Sequence, residues 1–154
     1  MSGRVESIHV ADAIAEPTRP VDRVRVVAGK GIEGDRKFAP DGHELGEGRD
    51  LTLIQAEAIE AMAEETGIEI GPGDARRNVV TRGVELNELV GRRLRVGEVE
   101  GVGVELCEPC THLESLTKPG VLRGLVHRGG LRVDVDTGGE ISVGDTVAEV
   151  GSRQ

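Results

Sequence analysis

Nearly every apolar run in this chain is short, alternates with polar residues and stops at a glycine. "SIHVADAI" alternates through Ile8 and Val10, and "DRVRVVAG" through Val24 and Val26. "RNVVTRG", "RRLRVGEVEGVGVELC", "LRVDVDTGGEISVG" and "DTVAEVG" follow the same rule. A period of two with β-branched residues marks half-buried strands, and Gly, Asp or Pro at the ends marks turns. The 154 residues include 23 glycines, a density suited to a coiled or closed sheet whose strands bend and approach closely. Many short strands must also hide their edges, which closure of the sheet achieves. The sequence therefore predicts one mainly β, barrel-like domain over residues 1–154, with two or three short-to-medium helices.

The finer reading places a hairpin around Gly138-Gly139 in "VDTGGEIS" and a second tight turn in "SVGDTV". The longest helix is predicted in "TLIQAEAIEAMAEETG". Thr52 and Gln55 stand in capping-box spacing, Gly67 suits the left-handed stop, and Ile54, Ala58, Ala61 and Met62 form the buried stripe. "THLE" (Thr111 to Glu114) repeats the capping-box spacing and "KPG" should end that helix early. "VLRGLVHRGG" adds a turn or two, and "ELNELVG" a single turn before a strand. "APDGHELGEG" (Ala39 to Gly48) has no pattern and is expected to be a mobile loop.

Composition narrows the function. Phe38 is the sole aromatic, so the core must be aliphatic and no stacking platform for single-stranded nucleic acid exists. A net charge of −9 and a pI near 5.0 disfavour general nucleic-acid binding. No apolar run approaches the roughly 18 residues that cross a bilayer. "MSGRVESIHV" lacks the apolar stretch and cleavage signature of a signal peptide, so a cytoplasmic protein with reduced thiols is expected.

Those thiols are Cys107 and Cys110, in "VELCEPCTHLESL". With Thr111 as N-cap, Cys110 lies beside the free N–H groups of a first helical turn, which favour a thiolate. Alternation puts Cys107 with Gly103 and Glu105, opposite Val102, Val104 and Leu106. Four readings are open: two buried small residues, a thioredoxin-like redox pair, a zinc site, or one working thiol, Cys110, with a bystander. The redox motif expects its first cysteine at the helix start inside a βαβ unit, whereas here the second is nearest the helix. Zinc would need Cys107, Cys110, His112 and His127, yet 14 residues separate the two histidines where three to five are usual.

Charged groups cluster in "GIEGDRKF" (Asp35, Arg36), at Arg49 and in "GDARRNVVTRGVEL" (Arg76, Arg77, Asn78). The ordinary meaning of such runs is solvated surface charge. Paired arginines followed by Asn also offer forked donors plus an amide, a set suited to phosphate, carboxylate or a heterocycle edge. "HRGGLRV" adds His127 before two glycines. No P-loop or dinucleotide fingerprint is present.

In order, "GIEGDRKF", "RDLTLIQAEAIEAM", "ARRNVVTRGVELNELVGRRLRVGE", "VELCEPCTHLESL" and "HRGGLRVDVDTGGEISVGDTV" resemble a MOSC domain, the module named after the C-terminal domain of molybdenum-cofactor sulfurases. The resemblance spans roughly residues 5 to 150. It implies a β-barrel-like fold and a molybdopterin-type cofactor. Cys110 matches the family cysteine that ligates molybdenum or carries sulfur as a persulfide. Arg77-Asn78, with Arg76 beside them, match the block expected at the cofactor's phosphate and pterin, and Gly34-Asp35-Arg36 match the family's Gly-Asp-Arg block. Arg49 and His127 join the candidate cofactor-binding set. His112 or His127 would donate or accept a proton. Two features depart from the family. Longer relatives add an N-terminal β-barrel partner domain that helps cradle cofactor or substrate, and the aromatic residues that commonly follow Gly-Asp-Arg are replaced by Lys37-Phe38. The expected function is a small molybdenum-dependent reductase of N-oxygenated compounds fed by an electron-donor protein. The alternatives are a sulfur carrier served by a sulfur-donor protein, and a non-enzymatic accessory or binding module.

Overall fold

The computed structural model describes residues 2–151. Seven strands form a closed ring: β1 (Ser2–Val10), β6 (Val79–Arg82), β5 (Leu51–Gln55), β9 (Leu131–Thr137), β8 (Val99–Leu106), β7 (Arg93–Val96) and β11 (Thr146–Glu149), which returns to β1. Ser2 to Arg4 pair with Ala148 to Thr146 and close it. The other ring pairings are antiparallel except β5–β6, which is parallel and needs a crossover. That crossover holds α1 (Ala56–Thr66). β2 (Arg19–Val21) flanks the far end of β1. A small second sheet contains β3 (Arg23–Val27), β4 (Gly31–Ile32) and β10 (Gly139–Ser142). α2 (Thr111–Leu116) and α3 (Val121–Gly124) lie between β8 and β9, and a 3-10 turn (Leu86–Leu89) precedes β7. The expected mainly β barrel with a few helices is the fold.

Strand alternation divides the apolar residues between two cores. Leu51, Leu53 and Val79 join Val96, Leu131, Val133 and Ile141 in one cluster, while the next-door Ile54 and Val80 pack with Ile59, Met62, Leu113, Val121 and Leu125 beneath the helices. Both are aliphatic, as a chain with one phenylalanine requires.

Three local readings are corrected. Thr52 and Gln55 do not open α1: residues 51–55 are a strand with Leu51 to Ile54 buried, and the helix begins at Ala56 after Gln55. Its buried face is Ala56, Ala58, Ile59 and Met62, while Ala61 is only half-buried. Its stop at left-handed Gly67 is as expected. Gly138-Gly139 do not join a hairpin. β9 pairs with β8 and β5, and the chain then leaves the barrel so that β10 pairs with β3, Ile141 facing Val24. A Cβ on Gly138 would stand 2.5 Å from Val26 O, which explains the glycine at this crossing. The turn in "SVGDTV" is present, closed by Asp145 N–H donating to Ser142 O at 3.0 Å.

The inward face of β8 is its glycine face. Gly101 and Gly103 are buried, whereas Val102 and Val104 are half-exposed. A Cβ on Gly103 would collide with Leu89 O, and one on Gly101 with Asp134 O. The register slips between Gly103 and Glu105, and Cys107 arrives buried.

Ala39–Gly48 has no helix or strand, yet it is tethered. Leu45 N–H donates to Gly29 O at 2.7 Å, Gly48 N–H to Asp134 Oδ1 at 2.5 Å, and Lys30 Nζ to Pro40 O and His43 O.

Candidate functional site

Strand register gathers the sequence blocks of interest at one rim. Leu106 pairs with Leu131, Leu131 with Leu53, Leu53 with Val79, and Val79 with Ile8. The segments running off these positions meet there around a cleft of about 510 Å³. It is lined by Cys107 and Cys110, by His112 and Leu113, by Ile14 and Leu45, by one carboxylate, Glu108, and by six cations: Arg36, Lys37, Arg49, Arg76, Arg77 and Arg132. Six positive charges in one hollow of a chain carrying −9 are no accident of composition. A larger hollow of about 690 Å³ lies at the opposite rim, but it is lined by Glu98, Glu140, Asp145 and Glu149 and holds no thiol.

Cys110 is exposed and Cys107 buried, and both are free thiols. Cys110 is itself the N-cap of α2, and Thr111 is the first helical residue, one position earlier than expected. The capping box does not form: no side chain caps α2, and Glu114 Oε1 instead accepts the N–H groups of Gly120 and Leu122 at 3.1 and 2.9 Å. Cys107 is fixed by its backbone, donating to Gly130 O at 2.7 Å and accepting from Arg77.

Arg77 lines the cleft while its donors face protein. Nε donates to Gly129 O at 2.8 Å, Nη1 to Ala75 O at 3.2 Å, and Nη2 to Cys107 O and Glu108 O at 2.9 and 3.3 Å. It is a strut that ties the start of β6 to the cysteine segment and to the approach of β9. Burial pulls its pKa down most, Arg132 and Arg36 push the same way, and the thiols of Cys107 and Cys110 oppose this. Arg76 has a left-handed φ of 64° and its Nη1 donates to Glu16 O at 2.6 Å. Its pKa is lowered by burial first, then by Arg36.

Asn78 does not line the cleft. It is buried below it, donating through Nδ2 to His9 O at 3.0 Å and exchanging hydrogen bonds with Thr52. Asp35 is also underneath. Its Oδ1 accepts from Ala11 N–H and from Arg36 Nη1, both at 3.0 Å, which aims Arg36, and Arg36 Nη2 reaches Arg76 O at 3.3 Å. His112 lines the cleft. His127 stands outside it, exposed, with its backbone N–H and Nδ1 held by the Glu108 carboxylate at 2.7 and 3.0 Å. The backbone N–H of His127 is the main reason the Glu108 pKa is lowered. This geometry also removes the four-ligand zinc reading. Among the described residues no three His, Cys, Asp or Glu side chains are placed to share a metal ion.

Arg132 and Ile14 also line the cleft without having been singled out from sequence, and Lys37, which reads there as one of a run of surface charges with Asp35 and Arg36, lines it too. Lys37 follows the Gly-Asp-Arg block directly, and Arg132 lies inside "HRGGLRV", so adjacency was the available signal. Desolvation first, then Arg36, Arg132 and Arg77, hold the Lys37 pKa below the usual lysine range, with Cys107 opposing.

A barrel closed by its first and last ring strands, with a thiol and a cationic hollow at one rim, defines a class. The MOSC domain profile matches residues 40–148, and the chain belongs to the MOSC domain family. Solved structures share the fold. The YuaD protein of Bacillus subtilis is 23% identical with a TM-score of 0.82, covering 100% of this chain and 98% of that one. YiiM of Geobacillus stearothermophilus is 18% identical with a TM-score of 0.73, covering 97% and 75%. YiiM of Escherichia coli is 19% identical with a TM-score of 0.69, covering 98% and 71%. No curated protein matches the sequence. Among the described residues, no helix is long and apolar enough to cross a membrane.

Proposed function

We propose that the cationic cleft binds a molybdopterin-type cofactor and that Cys110 is the protein ligand to its molybdenum. The observation that carries this is the meeting of one exposed thiol with six cations in a hollow of about 510 Å³. Ligand sites commonly measure about 300–1,000 Å³. The donor set fits the group: a soft sulfur suits the metal, and guanidinium and ammonium groups suit a phosphorylated organic anion. When bound, such a cofactor supplies oxygen-atom and electron-transfer chemistry, which on this reading reduces small N-oxygenated compounds with electrons from a partner protein.

The chain's own residues do the positioning. Cys110 presents sulfur from the N-cap of α2, and Arg77 clamps the cysteine segment through Cys107 O and Glu108 O. Asp35 orients Arg36, and Asn78 joins the rim of β1 to that of β5. Ile14, Leu45 and Leu113 give the cleft an apolar side. His112 is the lining residue suited to exchange a proton with substrate.

The test is metal analysis of protein made in a host that synthesises the cofactor. Stoichiometric molybdenum, lost in Cys110→Ser, is expected. The exposure of Cys110 also suits a second reading, a sulfur carrier. Metal-free protein that accumulates cyanide-releasable sulfur on Cys110 after incubation with a cysteine desulfurase would establish that reading instead. Neither signal would leave an accessory binding module.

A further inference from the structure

The cations of the cleft are not equivalent. Arg77 spends its donors on four backbone carbonyls, Arg36 on Asp35 and Arg76 O, and Arg76 on Glu16 O. Arg132 has Glu105 at 3.5 Å. Two cations are left. Arg49 is held only by its backbone, whose N–H donates to Gly46 O at 3.3 Å. Among the described residues, the guanidinium of Arg49 and the ammonium of Lys37 enter no hydrogen bond or ion pair. The positive charges of Arg36, Arg132 and Arg77, which share the cleft with it, act on Lys37 and help hold its pKa down. Lys37 and Arg49 both line the cleft.

We infer that Lys37 and Arg49 form the anion-binding pair of this cleft, taking a tetrahedral phosphate dianion, and that the Arg77 of the family's Arg-Asn block is a positioning residue that does not grip the anion. Among the described residues, Lys37 and Arg49 are the cleft cations whose side-chain donors are all free to meet the oxygens of a phosphomonoester. A dianion set between them would also relieve the mutual repulsion that Lys37 bears. A guanidinium already satisfied by four carbonyls has to break native bonds to bind a phosphate, whereas Lys37 and Arg49 exchange only water.

This inference rests on the reading of the cleft as a cofactor site, and it is tested without cofactor. Inorganic phosphate and pyrophosphate are titrated calorimetrically into the metal-free protein at low ionic strength. Wild type is expected to bind saturably. Lys37→Ala and Arg49→Ala should each lose about tenfold or more in affinity, as expected for a hydrogen bond to a charged group. Lys37→Arg and Arg49→Lys should retain most of it. Arg123→Ala removes an exposed charge on α3 and should bind like wild type. Arg77→Lys should melt at a lower temperature, with affinity in the folded protein within about threefold of wild type.

Absence of phosphate binding by wild type overturns the inference. So does unchanged affinity in Lys37→Ala and Arg49→Ala, or loss of affinity in Arg77→Lys at an unchanged melting temperature. The two levels separate cleanly. Molybdenum retained by wild type and lost in Cys110→Ser, beside unaltered phosphate affinity in Lys37→Ala and Arg49→Ala, sinks this assignment alone. Phosphate binding lost in both variants, in a protein that never loads molybdenum, sinks the cofactor reading alone.

Discussion

Asp50 illustrates how one side chain can hold several segments at once. It is buried between β5 and the loop before it, and its Oδ2 accepts from Val135 N–H at 2.9 Å and Gly29 N–H at 3.3 Å. Among the described residues its Oδ1 has no partner. Burial is the main cause of its raised pKa. The two N–H groups oppose the shift, and Asp134 and Glu44 reinforce it. The sign follows: the folded protein holds the proton more tightly than the unfolded chain, whose Asp50 has the ordinary value of 3.8. The ionisation penalty is absent below that value and fully present above the raised one. Asp50→Asn keeps an acceptor for both N–H groups and cannot ionise. Its stability relative to wild type should therefore rise as pH climbs from about 4 to neutral, as read by urea unfolding. Asp50→Ala leaves both donors without an acceptor and should cost about 1–3 kcal/mol at every pH.

At the scale of elements, the site depends on segments that do not support themselves. α2 has six residues and α3 four, and among the described residues neither has a side-chain cap. Their order comes from Leu113, Val121 and Leu125 packed against Met62 of α1 and from the Arg77 strut. Arg77→Ala should therefore lower stability by about 2–3 kcal/mol, given several part-buried carbonyls losing a cationic donor. It should also open the cysteine segment. In native wild type, iodoacetamide with mass-spectrometric readout is expected to modify Cys110 and spare Cys107, and in Arg77→Ala both should react.

The elements also mark where sequence sufficed. Alternation located β1, β3, β6, β7 and β9, and Gly67 fixed the end of α1, because these signals are local. The start of α1 was misread because Thr52 has a partner 26 residues away in Asn78, an alternative that capping-box spacing cannot reveal. That the glycine face of β8 is the buried one has no local signal, because backbone carbonyls of Leu89 and Asp134 occupy the space beside Gly103 and Gly101. Cys110 and the arginine block were legible as parts of one candidate site, and Cys110, Arg76 and Arg77 do line one cleft. That Arg77 and Asn78 face inward was not legible, since the carbonyls of Gly129, Cys107 and His9 that claim them come from other segments.

For the molecule as a whole, closure governs cooperativity. Val147 is fully buried and faces Gly3 on one side and Val96 on the other, so it links the first ring strand to β7. Val147→Ala should cost about 1–3 kcal/mol. Because the ring makes each strand the neighbour of two others, this loss should be felt at the opposite rim. In urea, the midpoint of far-ultraviolet ellipticity and the midpoint of Cys107 alkylation should shift together, in wild type and variant alike. Separate midpoints would mean that the thiol rim unfolds independently of the seam.

The same seam has a temporal side. Ser2 to Arg4 find one of their partners only in Thr146 to Ala148, nearly the whole chain later. During synthesis, β1 must wait with an open edge until the last ring strand has left the ribosome, although the thiol segment and the arginine block are made well before that. The residues that line the hollow are thus all made before the ring that frames them can close, and a ligand that needs the closed ring has to wait for Thr146 to Ala148.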